Sequence, residues 1–164
     1  TQAKYVALLT RFYGFYAPIE AHLAWVPGLH TPGLDFAARR KTPLLEQDLA
    51  YFGHHNVDQI ARCASLPALD SVDQALGCWY VLEGATLGGQ VIIRHLRERI
   101  GIDTAQGGRF FASYGAHVGR MWKAFGECLT STCVTATSMD LAVGSARETF
   151  AAFGRWFRNN EVIQ

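Results

Sequence analysis

The chain has 164 residues, of which 49% are hydrophobic and 18% are charged, and its net charge is +1 at neutral pH. This length fits one domain with a buried core, and the composition excludes an intrinsically disordered chain. The small net charge gives no reason to expect nucleic acid as a partner. No uninterrupted apolar run approaches the roughly 18 residues needed to span a bilayer, so we expect no membrane partner either.

Apolar residues recur at helical spacing along most of the chain, which predicts a single all-α domain over residues 1–164 with six or seven helices. A first helix is expected to end near Trp25, before the Pro27-Gly28 breaker. The next predicted elements are a short segment at 35–40, a helix from Thr42-Pro43 to Gly53, and a short helix at 56–63.

The second half of the chain contains the longest predicted helix. Ser71 and Gln74 have the spacing of a capping box, and Gly101 is a stop signal, so a helix is predicted over 72–99. Two further helices are predicted at 108–129 and 141–158, separated by a Thr/Ser-rich loop at 130–138.

The four cysteines show neither a CxxC pair nor zinc-site spacing. Cys128 and Cys133 are close enough in sequence to form a disulfide, but free buried thiols are the better interpretation, also for Cys63 and Cys78. A cytoplasmic location follows from this cysteine usage. The chain begins without Met in what already reads as a helix, so a segment upstream of Thr1 is expected.

The longest helix carries a face of small residues. Each helical glycine costs on the order of 1 kcal/mol relative to Ala, so several of them require an explanation. One explanation is a close helix–helix crossing, and the other is a flat ligand that lies on bare backbone; glycines also allow the helix to kink. The small residues and the aliphatic residues on either side of them are Gly84, Ala85, Gly88, Gly89, Val81 and Ile92.

Three blocks of the chain resemble the heme oxygenase family. EGATLGGQV at 83–91 resembles the glycine-rich distal helix, and RRKTPLLEQDLAYFG at 39–53 resembles the RK-x-x-LEQDL block. TQAKYVALLTRFYGFYAPIE at 1–20 resembles the helix that follows the proximal helix. The blocks occur in the family's order, and the wording YVLEGATLGGQVI is most similar to bacterial biliverdin-forming members, including those associated with phytochromes.

The resemblance implies a helical bundle that holds heme between a proximal helix with a His ligand and a glycine-kinked distal helix. Heme is then both substrate and cofactor. With O2 and electrons from a ferredoxin or a reductase, it is cleaved to biliverdin, CO and ferrous iron. A bacterial phytochrome is one candidate acceptor of the biliverdin.

The resemblance also implies roles for individual residues. The backbone of Gly84, Gly88 and Gly89 is expected to lie over the heme as the catalytic surface. The residues expected to bind heme are Val81, Ala85, Ile92, Tyr114, Val118 and Phe150. No residue matches the proximal His, so no metal ligand is assigned and that His is expected upstream of Thr1. At Ala85 some relatives carry an Asp that organises distal water.

Several other residues are candidates for the heme site but could also have an ordinary structural role. Tyr114, with Arg120 or Lys123, is the best match for groups near the heme propionates; otherwise it belongs to an ordinary amphipathic helix that also presents His117, Val118 and Met121. Phe153 belongs either to the heme pocket or to the core. Glu46 is expected to join Arg39 or Arg40 in a structural polar network, with Asp48 on another helix face.

The six histidines are candidate heme or metal contacts. His95 is predicted to reach a heme edge or else to be a surface residue. His54 and His55 are expected to be solvated, and His22 and His30 to be structural.

Three other functions stay open from the sequence. The first is a heme-oxygenase-like domain that binds heme or a bilin without turnover, which Ala85 keeps open. The second is another helical enzyme, such as a thiamin-degrading or di-iron protein; the di-iron version is weak because the sequence contains no Glu-x-x-His pair. The third is a structural helical protein in which the glycines only permit a tight crossing.

Overall fold

The computed structural model describes residues 1–29 and 34–159, and every regular element within them is helical. The predicted all-α single domain is therefore confirmed. His30 lies outside the described residues. Two short 3-10 turns, at Val57–Gln59 and Gly115–His117, accompany the α-helices. The α-helices are α1 (Gln2–Leu23), α2 (Phe36–Arg39), α3 (Thr42–Tyr51), α4 (Val72–Ile100), α5 (Arg109–Ala112), α6 (Val118–Thr132) and α7 (Ala136–Asn159).

The central element is α4, and both of its predicted ends are confirmed. The Ser71 Oγ accepts a hydrogen bond from the Gln74 N–H at 3.2 Å, which satisfies an otherwise unpaired donor of the first turn. At the other end Gly101 has φ +70°, a left-handed conformation that a side chain would disfavour. Between these caps α4 packs along α7 and also against α5 and α6, while α1 packs on α3.

The composition of α4 reflects this central position. By length and mean hydropathy the helix is apolar enough to cross a membrane, but 56% of its most apolar stretch is buried within the protein. Residues such as Leu76, Trp79 and Leu82 belong to the hydrophobic core. The helix continues without a break through its glycines. The predicted kink there stays a prediction.

The helix predicted over 108–129 is wrong, because the chain turns in its middle. Ser113 has φ +48° and Gly115 has φ +55°, so α5 ends at Ala112 and α6 begins only at Val118. Asp48 stabilises the start of α5: its carboxylate accepts hydrogen bonds from the N–H groups of Arg109 at 2.9 Å and Phe110 at 2.8 Å.

Two other boundaries differ from the prediction. The Thr/Ser-rich stretch 130–138 is mostly helical, because α6 continues to Thr132 and α7 begins at Ala136 instead of Leu141. Thr135 and Ser138 explain the early start of α7, since each accepts a hydrogen bond from the other's backbone N–H, at 3.0 and 3.1 Å. In the stretch 56–63 only the 3-10 turn forms.

None of the four cysteines forms a disulfide, as predicted. Cys63, Cys78 and Cys133 are buried and Cys128 is half-buried. Burial raises the pKa of Cys78 to about 11, and burial together with Asp73 raises the pKa of Cys133 to about 11. Both thiols are therefore protonated and unreactive at neutral pH.

Candidate functional site

A cavity of about 460 Å³ lies between α4 and the helices around it. Its volume is within the range of sites that take small molecules and cofactors. Its walls are mostly apolar, and aromatic side chains from α1, α5, α6 and α7 form much of them. These side chains are Phe12, Tyr16, Phe110, Phe111, Trp122 and Phe153.

The floor of the cavity is the small-residue face of α4. Seven residues that the sequence suggested line the cavity: Val81, Gly84, Ala85, Gly89 and Ile92 on α4, and Phe150 and Phe153 on α7. Ile92 is 39% exposed and Phe150 is 59% exposed, so the cavity opens to solvent on this side. The structure therefore groups these residues around one opening.

The glycines of α4 do not all face the same surroundings. A Cβ atom at Gly89 would lie 2.5 Å from the backbone oxygen of Phe111, so this glycine permits a close crossing of α4 and α5. A Cβ atom at Gly84 would lie 3.6 Å from the ring of Trp122. At Gly88 no neighbouring atom lies within 4 Å. Gly88 is exposed and does not line the cavity, whereas its neighbours Leu87 and Gly89 do. Its backbone is thus bare and faces solvent beside the cavity.

Tyr16 is a polar residue of the cavity wall. It is only 2% exposed. Desolvation, followed by the nearby Glu20 and Glu83, raises the pKa of this phenol, so it stays protonated at neutral pH. A protonated phenol in the cavity wall can donate a hydrogen bond to a ligand.

A cluster of buried charges lies directly behind the glycine face. Glu83, which precedes Gly84, accepts hydrogen bonds from Arg39 Nη1 at 2.6 Å, Lys41 Nζ at 3.1 Å and the Tyr114 hydroxyl at 2.7 Å. Arg39, Lys41 and Glu83 are each at most 3% exposed. The cluster therefore fixes α4 to the segment that joins α2 to α3.

Lys41 lines the cavity but has no donor left for a ligand. Besides Glu83, its ammonium donates to the Arg39 backbone oxygen at 2.5 Å and to the Tyr114 hydroxyl at 2.6 Å. Desolvation lowers the pKa of Lys41, and the Glu83 carboxylate opposes that shift. With all three N–H groups in use, Lys41 has a structural role at the cavity wall.

Comparison with known proteins agrees with this architecture. The sequence model of the family described as Heme oxygenase matches residues 1–159. The chain belongs to the heme oxygenase family. A protein named heme oxygenase from Xanthomonas campestris pv. campestris (strain 8004) is 35% identical over 96 residues, which are 58% of this chain and 54% of that relative. The chain thus spans about half the length of the curated relative that it matches.

Three residues that the family resemblance suggested, Gly88, Tyr114 and Val118, lie outside the cavity wall. The Tyr114 hydroxyl is engaged by Glu83 and Lys41, and Val118 is buried at the start of α6. The predicted shared face of Tyr114 and Met121 is wrong, because the chain turns between α5 and α6. Arg120 is exposed, and Lys123 pairs with Glu127 at the surface, so neither accompanies Tyr114.

The predicted network around Glu46 is also wrong. Glu46 accepts a hydrogen bond from the Tyr13 hydroxyl at 3.1 Å, whereas Arg39 pairs with Glu83 and Arg40 with Glu20. Sequence reasoning missed Glu83 although it begins the glycine motif. A carboxylate one residue before the small-residue face of a central helix is a signal that could have indicated its role.

The histidines do not form a metal site in the described part of the chain, where no group of three or more His, Cys, Asp or Glu side chains could hold a metal ion. His95 is exposed on α4, beyond the residues that line the cavity. His54 and His55 are exposed after α3, and His22 is exposed near the end of α1. A heme contact by His95 stays a prediction.

Proposed function

We propose that this protein catalyses the heme oxygenase reaction, in which heme is cleaved to biliverdin, CO and ferrous iron. Bound heme would supply the iron that reacts with O2, and a ferredoxin or a reductase would supply the electrons. In this proposal the protein acts in the cytoplasm, and a bacterial phytochrome is a candidate acceptor of the biliverdin. The proposed binding residues on α4 and α7 are Val81, Gly84, Ala85, Gly88, Gly89, Ile92 and Phe150.

The observation that supports the proposal best is the small-residue face of α4 along an apolar cavity. A flat macrocycle requires a flat floor, which Gly84, Ala85 and Gly89 offer in the cavity wall. The adjacent Gly88 has no atoms within 4 Å of the position that a side chain would take. The aromatic walls bury apolar surface of a ligand and exclude water from it. The residues present therefore fit a porphyrin.

The polar chemistry of the cavity is sparse, and this limits how the protein can assist the reaction. Ala85 lacks the carboxylate that some family members have at this position, so its side chain cannot hold a water molecule. Tyr16 lines the cavity and its raised phenol pKa keeps it protonated, so we assign its hydroxyl to hydrogen bonding with the ligand. We infer that the protein positions heme and excludes water, while heme supplies the redox chemistry.

A protein that binds heme or a bilin without turnover is the second candidate function. Ala85 favours it, because a distal site without a carboxylate is less well equipped to order water. Both candidates use the same cavity, so binding alone does not separate them.

The test is a heme titration followed by a turnover assay. We expect a Soret band that saturates at one heme per protein, and then biliverdin absorbance once reductant and O2 are added. Heme that binds but stays intact under these conditions would support the binding function. Absence of heme binding would reject both candidates.

Variants of two exposed glycines test the proposed floor. Gly88→Leu places a bulky side chain where we propose that heme lies, and we expect a loss of heme affinity of at least about tenfold, which corresponds to about 1.4 kcal/mol. Gly119→Leu is the matched control, because Gly119 is also helical, exposed and without neighbours within 4 Å. Equal affinities of the two variants would show that heme does not lie on Gly88.

A further inference from the structure

Trp122 of α6 covers one end of the small-residue face of α4. The six-membered part of its ring rests on Gly84, with Cη2 at 3.6 Å and Cζ3 at 3.7 Å from the position of an added Cβ atom. These are ordinary van der Waals distances, so the indole takes the place of a side chain on the helix. Trp122 is half-buried and lines the cavity.

Two aromatic neighbours pack against the indole. Its ring centroid lies 5.1 Å from that of Tyr80 and 6.2 Å from that of Phe125, and the Phe125 ring is stacked with it at an interplanar angle of 17°. Phe125 is completely buried, and Tyr80 is 39% exposed. The indole therefore packs both against a core residue and against a partly exposed residue of α4.

The buried charge cluster fixes the same pair of elements. Arg39 Nη1 donates to the Glu83 carboxylate at 2.6 Å and to the Met121 backbone oxygen at 3.1 Å. Glu83 is the residue before Gly84, and Met121 is the residue before Trp122. The buried Arg39 guanidinium thus connects Glu83, next to Gly84, with Met121, next to Trp122.

This arrangement divides the face into a covered and a bare part. The indole occupies the Gly84 end, while Gly88 has no neighbours within 4 Å and Ala85 and Ile92 are exposed. A flat ligand on the bare part would meet the indole at one edge. Since a fixed aromatic edge restricts both sliding and in-plane rotation, the orientations of an asymmetric macrocycle are not equivalent.

We propose that Trp122 is a specificity-determining residue. Its indole blocks movement of the bound macrocycle at the Gly84 end of the small-residue face and so sets the in-plane orientation of the macrocycle. This inference rests on the proposed function. The orientation decides which bridge of the macrocycle lies deepest in the cavity, and so which bilin isomer is formed. Nothing in this role requires Trp122 to take part in the chemistry.

The experiment compares three variants of the heme-loaded protein. Trp122→Ala removes the stop, Trp122→Phe shortens it while keeping an aromatic ring, and Trp25→Phe is a control because Trp25 is 85% exposed and lies outside the cavity wall. The readouts are the Soret titration, the heme methyl resonances in NMR spectra, which report in-plane orientation, and the isomers of the bilin product. Far-UV circular dichroism checks that each variant is folded.

We expect Trp122→Ala to bind heme while the ratio of major to minor orientation falls by roughly twofold to thirteenfold, the range given by an aromatic contact of about 0.5–1.5 kcal/mol. Trp122→Phe should lie between this variant and the wild type, and Trp25→Phe should match the wild type. If Trp122→Ala does not fold, the change in heme orientation in Trp122→Phe tests the inference instead.

Several outcomes would overturn the inference. Unchanged methyl resonances and isomers in folded Trp122 variants would show that the indole is only packing. Complete loss of heme binding in a folded Trp122 variant would contradict a role in orientation. A wild-type protein that binds no heme would reject the proposed function itself, which the titration distinguishes from the other two results.

Discussion

The two sides of α4 use glycine for different purposes. On the packed side, a Cβ atom at Gly77 would overlap the backbone of Ala142 in α7, and one at Gly89 would lie 2.5 Å from the Phe111 oxygen in α5. On the open side, Gly88 has no neighbours within 4 Å and Gly84 meets only the edge of Trp122. The same residue type thus brings helices together at two positions and leaves backbone bare at another.

One helix can therefore contribute to the core on one side and offer a binding surface on the other. The packed side also carries Glu83, which holds two buried cations, whereas the open side carries no charged residue between Gly84 and Gly89. Substitutions on the packed side should therefore change stability, and substitutions on the open side should change ligand binding.

The largest effect is expected for Glu83→Gln on the packed side. The amide of Gln would leave the Arg39 and Lys41 cations, each 3% exposed, without a carboxylate partner. Breaking a buried ion pair in this way lowers the free energy of unfolding by about 3–5 kcal/mol. Urea denaturation measures the change in the free energy of unfolding. Glu98→Gln, at an exposed position of α4, is the control. A loss below about 1 kcal/mol would mean that the cluster contributes no more than a surface pair.

Gly77→Ala should follow, with a loss of at least about 2 kcal/mol, because the added methyl group overlaps backbone that cannot move without shifting α7. Thermal or urea unfolding measures it. Gly126→Ala on α6 is the matched control, since that glycine is helical with open space around it. Equal stability of the two variants would contradict the tight crossing of α4 and α7.

The tyrosine of the cavity wall predicts a pH effect. Burial raises the pKa of Tyr16 above the unfolded value of 10.0, so the unfolded chain loses this proton first and stability falls as the pH rises above about 10. Tyr16→Phe should reduce the alkaline slope by up to about 1.4 kcal/mol per pH unit, because Phe carries no titratable proton. Urea unfolding at several pH values measures the slope. Tyr51→Phe at an exposed position is the control, and an unchanged slope in Tyr16→Phe would contradict this account.

The smallest expected change in stability is a gain. Gly88→Ala adds a methyl group in open space and removes the helix cost of glycine, so the protein should become more stable by about 0.5–1 kcal/mol. Gly126→Ala should give a similar gain. Only Gly88→Ala should also weaken heme binding in the titration. If neither variant differs in heme affinity from the wild type, the open side of α4 is not the floor of the site.

Much of the fold could be predicted from the sequence because its signals are local. The capping box at Ser71, the stop at Gly101 and the helical spacing of apolar residues act within one or two turns of the chain. The wrong boundaries occur where local signals are weak or misread. Positive φ at Ser113 and the reciprocal cap between Thr135 and Ser138 follow no simple sequence pattern.

The sequence by itself determined the helical class, the glycine face of α4 and the resemblance to heme oxygenases, because these depend on spacing within one segment. Only the tertiary structure decided which glycines are covered, that Arg39 pairs with Glu83 instead of Glu46, and that Trp122 rests on Gly84. Such partners are 38 to 44 positions apart in the chain, and α-helical spacing determines only which residues share a face. Which faces meet depends on the packing of the whole bundle.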